Sequence, residues 1–304
     1  MSARKHKSNI SSEEFRKSLK LKHFAAAKKI RDVHPHVDKF FRDKGHEIGK
    51  IREHSAKIIG AGAIAGSLLL VPGELRLLPA PQEIIEKIRI EIGNDDPTHS
   101  KKILVDTFKS VLPKRARPLE RDEEKFLEGV FSQVLKVPAR ASIEGEHLNT
   151  TYGYIGAEQH LRRYPGDALS QHDKDTFKEG MAPGLGAWGY FASSKDSMTE
   201  SLEETEKWYA VVQTLYLPDW GRRTAYLRDW YRYRKVLIVN TDNGNAVVAA
   251  IADSGPAAWT GKHYGGSPEV MHHLGGERYK KGPVIVFFVD DPENKIALGP
   301  VEYN

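Results

Sequence analysis

Two β-rich runs, K-V-L-I-V-N (235–240) and A-V-V-A-A-I-A (246–252), flank a tight turn at Asp242-Asn243-Gly244. Asn-Gly between such runs is a strong short-range hairpin signal, so the pairing of these strands is set locally. The second strand ends in a single acid, Asp253, and Ser254-Gly255-Pro256 then turns the chain sharply. A lone carboxylate delivered to the end of a buried strand, followed by small residues that leave room for a ligand, is a candidate catalytic acid. The plainer reading of Asp253 is an Asx-turn over Ser254-Gly255.

Strand signals surround the hairpin. G-L-G-A-W-G-Y-F-A (184–192) alternates small and aromatic residues, and W-Y-A-V-V-Q-T-L-Y (208–216) reads as a second strand. An Arg/Trp/Tyr-rich insertion fills 218–235. Ser267-Pro268-Glu269 starts a short helix, with Ser as N-cap, Pro at the first helical position and Gly275 past the end. P-V-I-V-F-F-V (283–289) is continuous and apolar, as expected of a buried closing strand. Short strands with one small helix fit a closed β-barrel of about 120 residues.

Upstream, helical spacing appears in three stripes: Ile84, Ile85, Ile88 and Ile92; then Ile103, Leu104, Phe108 and Leu112; then Phe126, Leu127, Val130, Phe131, Val134 and Leu135. These stripes are expected to form core or to pack against the barrel. Residues 140–172 are dense in Gly, Tyr, His and Asn with poor periodicity, which predicts a loop-rich segment. Its aromatic faces suit sugar rings, or else its tyrosines pack in an ordered connector.

Charge separates the N-terminus from the rest. Residues 1–57 hold 16 Lys and Arg against 7 Asp and Glu, net +9, whereas the whole chain is +5, so the remainder carries −4. The basic balance therefore belongs to the first segment, and nucleic acid is not an expected partner of the barrel. Ile58–Gly73 is a run of 16 uncharged residues with Lys57 before it and Glu74 after. That length falls just under the roughly 17–25 residues of a typical span. It is expected to be a transmembrane or signal-anchor helix with the basic side inward, the alternative being a buried Gly/Ala-rich helix. Cysteine is absent, which excludes disulfides, thiol nucleophiles and Cys-based zinc sites. His160, His172 and the His272-His273 pair lack the spacing of a zinc motif, and no metal or other cofactor is expected.

The hairpin, the A-D-S-G-P turn and the following W-T-G-K-H resemble the core of a double-psi β-barrel. That barrel is found in expansins, rare lipoprotein A, membrane-bound lytic transglycosylase A and the 3D domains. The resemblance covers roughly residues 184–300 and departs from the 3D pattern after the turn, where Thr260-Gly261-Lys262-His263-Tyr264 brings no second acid. It implies that Asp253 is the catalytic acid of a lytic cleavage. The protonated carboxyl would give its proton to the leaving oxygen. The carboxylate would then take a proton from the attacking C6 hydroxyl of the substrate, so one acid suffices. Such an acid needs desolvation, expected here from its apolar strand and from Trp259. Trp188 and Tyr190, placed on the first barrel strand, line either groove or core. Gly255, Trp259, Lys262 and His263 follow the acid and are the further candidate substrate-binding residues.

The expected organisation is α+β: a basic segment (1–57), an anchor helix (58–73), a helical stalk (74–140) and a six-stranded double-psi β-barrel domain (141–304). The expected function is lytic transglycosylase-type cleavage of peptidoglycan by a membrane-anchored protein whose barrel is extracytoplasmic. The alternatives are an expansin-like module that binds polysaccharide without cleaving it, and a membrane-anchored structural protein that docks a partner.

Overall fold

A computed structural model describes residues 97–303. The basic segment, the uncharged run 58–73 and the first helical stripe at Ile84–Ile92 lie outside the described residues. Among the described residues no helix is long and apolar enough to cross a membrane.

Six strands close into a mixed barrel: β1 (Tyr152–Ala157), β2 (Tyr209–Val212), β3 (Lys235–Asn240), β4 (Ala246–Ser254), β5 (Tyr264–Gly266) and β6 (Lys281–Val289). Around the barrel the order is β1–β5–β2–β4–β3–β6 and back to β1. The β1–β5 and β2–β4 pairs are parallel and the other four are antiparallel. Closure pairs every strand on both sides and removes exposed edges.

The long apolar runs of β3, β4 and β6 follow from burial of both faces. One set of alternating residues, Val236, Ile238, Val247, Ala249, Ile251, Val284, Val286 and Phe288, fills the barrel with Ile155 and Tyr264. The opposite set, including Leu237, Val239, Val248, Ile285 and Phe287, packs under two helices, α1 (Pro97–Val111) and α2 (Arg121–Val134). The expected stripes of these helices, Leu104 and Phe108 on α1 and Phe126, Leu127, Val130, Phe131 and Val134 on α2, supply the covering layer. Phe131 meets Phe108 and Phe287 edge-on. At its N-terminus α2 carries Asp122, Glu123 and Glu124, which suit the positive end of the helix dipole. Glu124 is buried and accepts hydrogen bonds from Thr151 Oγ1 at 2.7 Å and from His147 Nε2 at 2.8 Å, tying α2 to the entrance of β1.

The β3–β4 hairpin forms as expected, with Gly244 at φ +78° in its turn. The short helix Pro268–Gly275 is capped by Ser267, whose Oγ accepts from Val270 N–H; Gly275, expected past its end, is its last residue and Gly276 is the C-cap. Two other expectations are corrected. Residues 184–192 form a loop with one isolated Gly186–Gly189 bridge, because their small and aromatic residues meet no partner strand. The first barrel strand is instead β1, inside the segment expected to be loop-rich. Gly153 is tightly held, since a Cβ there would fall 2.7 Å from the His263 ring, while one at Gly156 would fall 2.4 Å from the flexible end of the Lys262 side chain, which could move aside. The insertion at 218–235 contains the helix Trp220–Tyr231, whose Leu227, Trp230 and Tyr231 plug into the barrel core.

Candidate functional site

Asp253 sits at the end of β4 beside a register shift. Ala210 pairs with Ile251 and Val211 with Asp253, so Ala252 is an extra, bulged residue. A bulge bends the strand and re-aims the residues after it, a common device beside functional sites. The loop 184–189 lies on this bulge. Gly186 approaches so closely that a Cβ there would stand 2.9 Å from the Ala252 carbonyl oxygen. That approach lets Ala187 N–H donate to Asp253 Oδ1 at 2.8 Å, while Ser254 N–H donates to the same oxygen at 2.7 Å. Among the described residues Oδ2 receives no hydrogen bond.

Burial raises the Asp253 carboxyl above the ordinary aspartate range, and the two amide donors oppose the rise. The arrangement has a chemical consequence. Negative charge is favoured on Oδ1, and Oδ2 is left to carry and exchange a proton. Trp259 is not the source of the burial: it is 89% exposed. The 184–189 loop and the barrel strands supply it instead.

A second carboxylate joins this site. Glu158, just past β1, is raised by burial, lowered by Lys262 and raised again by the charge of Asp253. Lys262 Nζ lies 3.6 Å from Glu158 Oε1 and donates to Ala157 O at 3.3 Å. No motif marks Glu158 in the sequence. It becomes a candidate only because the parallel β1–β5 pair sets it against Gly265, where a Cβ would meet its side chain at 2.5 Å.

The other expected residues fall in different surroundings. His263 lies beside Tyr154, the rings tilted with centroids 6.3 Å apart, and its Nδ1 accepts from Tyr154 N–H at 3.1 Å, which places the ring proton on Nε2. Burial, then the charge of Lys281, lowers its pKa and keeps the ring neutral near pH 7. Gly255 N–H donates to Val212 O at 3.0 Å and holds the turn against β2. Gln213 Nε2 braces the far side of the same turn through Pro256 O at 2.9 Å and Lys262 O at 3.3 Å. Trp259 stands on a one-turn helix, Ala258–Thr260, beside Tyr216, whose hydroxyl accepts from Ala258 N–H at 3.0 Å. With Leu215 and Tyr216 also exposed, this corner presents an apolar and aromatic surface. Trp188 is committed elsewhere: its indole N–H donates to Arg228 O at 2.8 Å on the Trp220–Tyr231 helix. Tyr190 is half-buried in the loop, off any strand.

A separate buried group gathers His160, His172 and Glu206, whose ligand-type atoms all lie within 4.8 Å of one another. His160 follows β1, His172 follows a one-turn helix, and Glu206 lies on the helix Glu200–Lys207. Three separate segments contribute, which is why no spacing motif announces the group. His272 and His273 take no part in it.

No protein-family model matches the chain, and no curated protein matches it.

Proposed function

We propose that the chain carries a double-psi β-barrel that cleaves peptidoglycan glycan strands by a lytic transglycosylase-type reaction, with Asp253 as the single general acid and base. The observation that carries the proposal is the state of Asp253: a half-buried acid, raised by burial, with Oδ1 held by two amides and Oδ2 open. In the first step Oδ2–H protonates the glycosidic oxygen as the C–O bond breaks. In the second the carboxylate accepts the proton of the C6 hydroxyl as that oxygen closes on the anomeric carbon. The proton given is recovered, and no water is consumed. The closed six-stranded barrel with two parallel pairs and an acid at the end of its hairpin is consistent with the double-psi assignment. Lys262, paired with Glu158, and His263 in its neutral form are polar groups for sugar hydroxyls. The exposed Trp259–Tyr216 corner offers a face for pyranose stacking.

The charge pattern adds a topology to the proposal: residues 1–57 cytoplasmic, 58–73 spanning and the barrel extracytoplasmic. The exposed aromatic corner equally favours a second reading, a binding module of expansin type that holds polysaccharide without lysis. Purified glycan strands incubated with the chain separate the two. Lysis yields anhydro-sugar ends by mass analysis, whereas the binding module yields retention of the strands with unchanged mass.

A further inference from the structure

We propose that His160, His172 and Glu206 form a zinc site that locks the platform beneath the Asp253 loop. The three side chains are only 1%, 2% and 4% exposed. His160 Nδ1 lies 3.6 Å from Glu206 Oε1, and His172 Nδ1 lies 3.4 Å from Glu206 Oε2. Both separations are too long for good hydrogen bonds, and His160 Nδ1 is a buried atom with no partner.

The outer shell explains which way the rings face. His172 Nε2 is 2.9 Å from Asp167 Oδ2, an acceptor, so the ring proton sits on Nε2. His160 Nε2 is 3.1 Å from Thr176 Oγ1, whose own hydrogen has two acceptors, Glu269 Oε1 at 2.9 Å and Asp173 O at 3.1 Å; His160 therefore also carries its proton on Nε2. Both Nδ1 lone pairs then face a carboxylate. Lone pairs facing lone pairs in a dry interior repel unless a proton or a metal cation lies between them. An imidazole oriented by an acceptor on its far nitrogen is the usual support of a metal-ligating histidine.

Charge points the same way. Arg163 is spent on Asp167, with bonds of 3.0 and 3.1 Å. Among the described residues no Lys or Arg forms an ion pair with Glu206. A divalent cation would supply the missing positive charge. The distances favour zinc over an octahedral ion. Bonds of about 2.0–2.1 Å at tetrahedral angles separate neighbouring ligands by about 3.3–3.4 Å. Octahedral angles at the same bond lengths would bring them to about 2.8–3.0 Å. The 3.4 Å between His172 Nδ1 and Glu206 Oε2 matches the tetrahedral value, and the 3.6 Å from His160 Nδ1 runs to the other oxygen of the same carboxylate. Three protein ligands leave the fourth tetrahedral position to a water, and with all three side chains at most 4% exposed the role is structural. Leu161, next to His160, donates its N–H to Glu206 Oε1 at 3.0 Å, and its side chain lies where a Cβ on Gly186 would meet it at 3.2 Å. The site thus pins the floor on which the 184–189 loop rests.

The test uses the full chain, stripped with chelator and then dialysed against zinc, with bound metal counted by mass spectrometry of the elements. One zinc per chain is expected, with a higher melting temperature in the zinc-loaded form. His160→Gln and Glu206→Gln should each lose the metal, and the exposed-position control His272→Gln should keep it. Cobalt loading of the wild-type chain should give the intense visible bands of a four-coordinate ion, a readout that needs no variant to fold. A folded wild-type chain that takes up no zinc, gives no such cobalt spectrum, or keeps its zinc in both variants would overturn the site. None of these readouts involves glycan, so the metal site and the lytic reading stand or fall separately.

Discussion

Gly186→Ala isolates the contact that positions Asp253. Gly186 has no positive φ, so alanine suits its backbone, and only the missing Cβ matters. That Cβ would lie 2.9 Å from the Ala252 carbonyl oxygen and 3.2 Å from Leu161 Cδ1. The nearer obstacle is backbone at a bulge, which cannot swing aside as a side chain could. Overpacking of this kind costs about 1–3 kcal/mol. Gly184, in the same loop, has nothing within 4 Å of its added Cβ. There an alanine is expected to be neutral or to stabilise by about 0.4–1 kcal/mol through the unfolded chain. For a domain of this size each kcal/mol moves the melting temperature by about 2–4 °C. Gly186→Ala should therefore melt clearly below the wild type while Gly184→Ala does not. Lifting the loop weakens the Ala187 N–H bond to Asp253 Oδ1 but also exposes the carboxyl, and burial is the larger cause of its raised pKa, so the Asp253 pKa should fall toward the ordinary aspartate value. Carbon-detected NMR titration of the Asp253 carboxyl measures it directly. Equal melting temperatures for the two variants, with an unchanged Asp253 titration, would mean that the Gly186–Ala252 contact does not position the acid.

Three further outcomes are expected. Gly244→Val places a β-branched residue at φ +78° and pushes a Cβ to 3.0 Å from Lys101, so chemical denaturation should report a loss of about 1–3 kcal/mol; an unchanged midpoint would contradict the strain. Asp253 binds its proton more tightly folded than unfolded, so wild-type stability falls as pH rises from the unfolded aspartate value, 3.8, through the higher folded value. Asp253→Asn removes that cost, so it should be more stable than the wild type at pH 7 and lose this advantage below pH 3.8; an equal difference at both pH values would argue against a destabilised acid. Trp259→Ala should leave stability within about 0.5 kcal/mol, because the side chain is 89% exposed, yet weaken glycan binding roughly 5–30-fold; unchanged affinity would remove Trp259 from the groove.

Local signals made much of the barrel legible. Asn243-Gly244 fixes its own hairpin, and the apolar run 283–289 has no stable home except a strand covered on both faces. Ser267-Pro268 starts its helix by capping alone. The misreadings share a cause. β1, Y-G-Y-I-G-A, carries glycines that read as loop punctuation, yet Gly153 is there because His263 lies across it. That requirement comes from distant residues and leaves no local trace. Conversely, G-L-G-A-W-G alternates like a strand but has no neighbour strand to pair with, and its Gly186 serves the docking on Ala252. Asp253 was visible because a strand end and a turn frame it. Glu158, in Gly-Ala-Glu-Gln, needs a parallel pairing with residues more than a hundred positions away before it means anything. The His160–His172–Glu206 group is hidden for the same reason, since its three segments meet only in the folded chain.

The central claim is that Asp253 is a general acid and base, and the most direct test compares the wild type with Asp253→Asn on purified glycan strands. Asparagine keeps the Oδ1 acceptor for Ala187 and Ser254 but cannot cycle a proton. Loss of a positioned acid and base typically costs about 10²–10⁴ in rate, and one group serving both steps places the expected loss at the upper end. Circular dichroism should first establish that the variant is folded. Mass analysis should then find anhydro-sugar ends produced by the wild type and essentially none by the variant, with glycan binding retained by both. Anhydro ends released by folded Asp253→Asn at the wild-type rate would contradict the account.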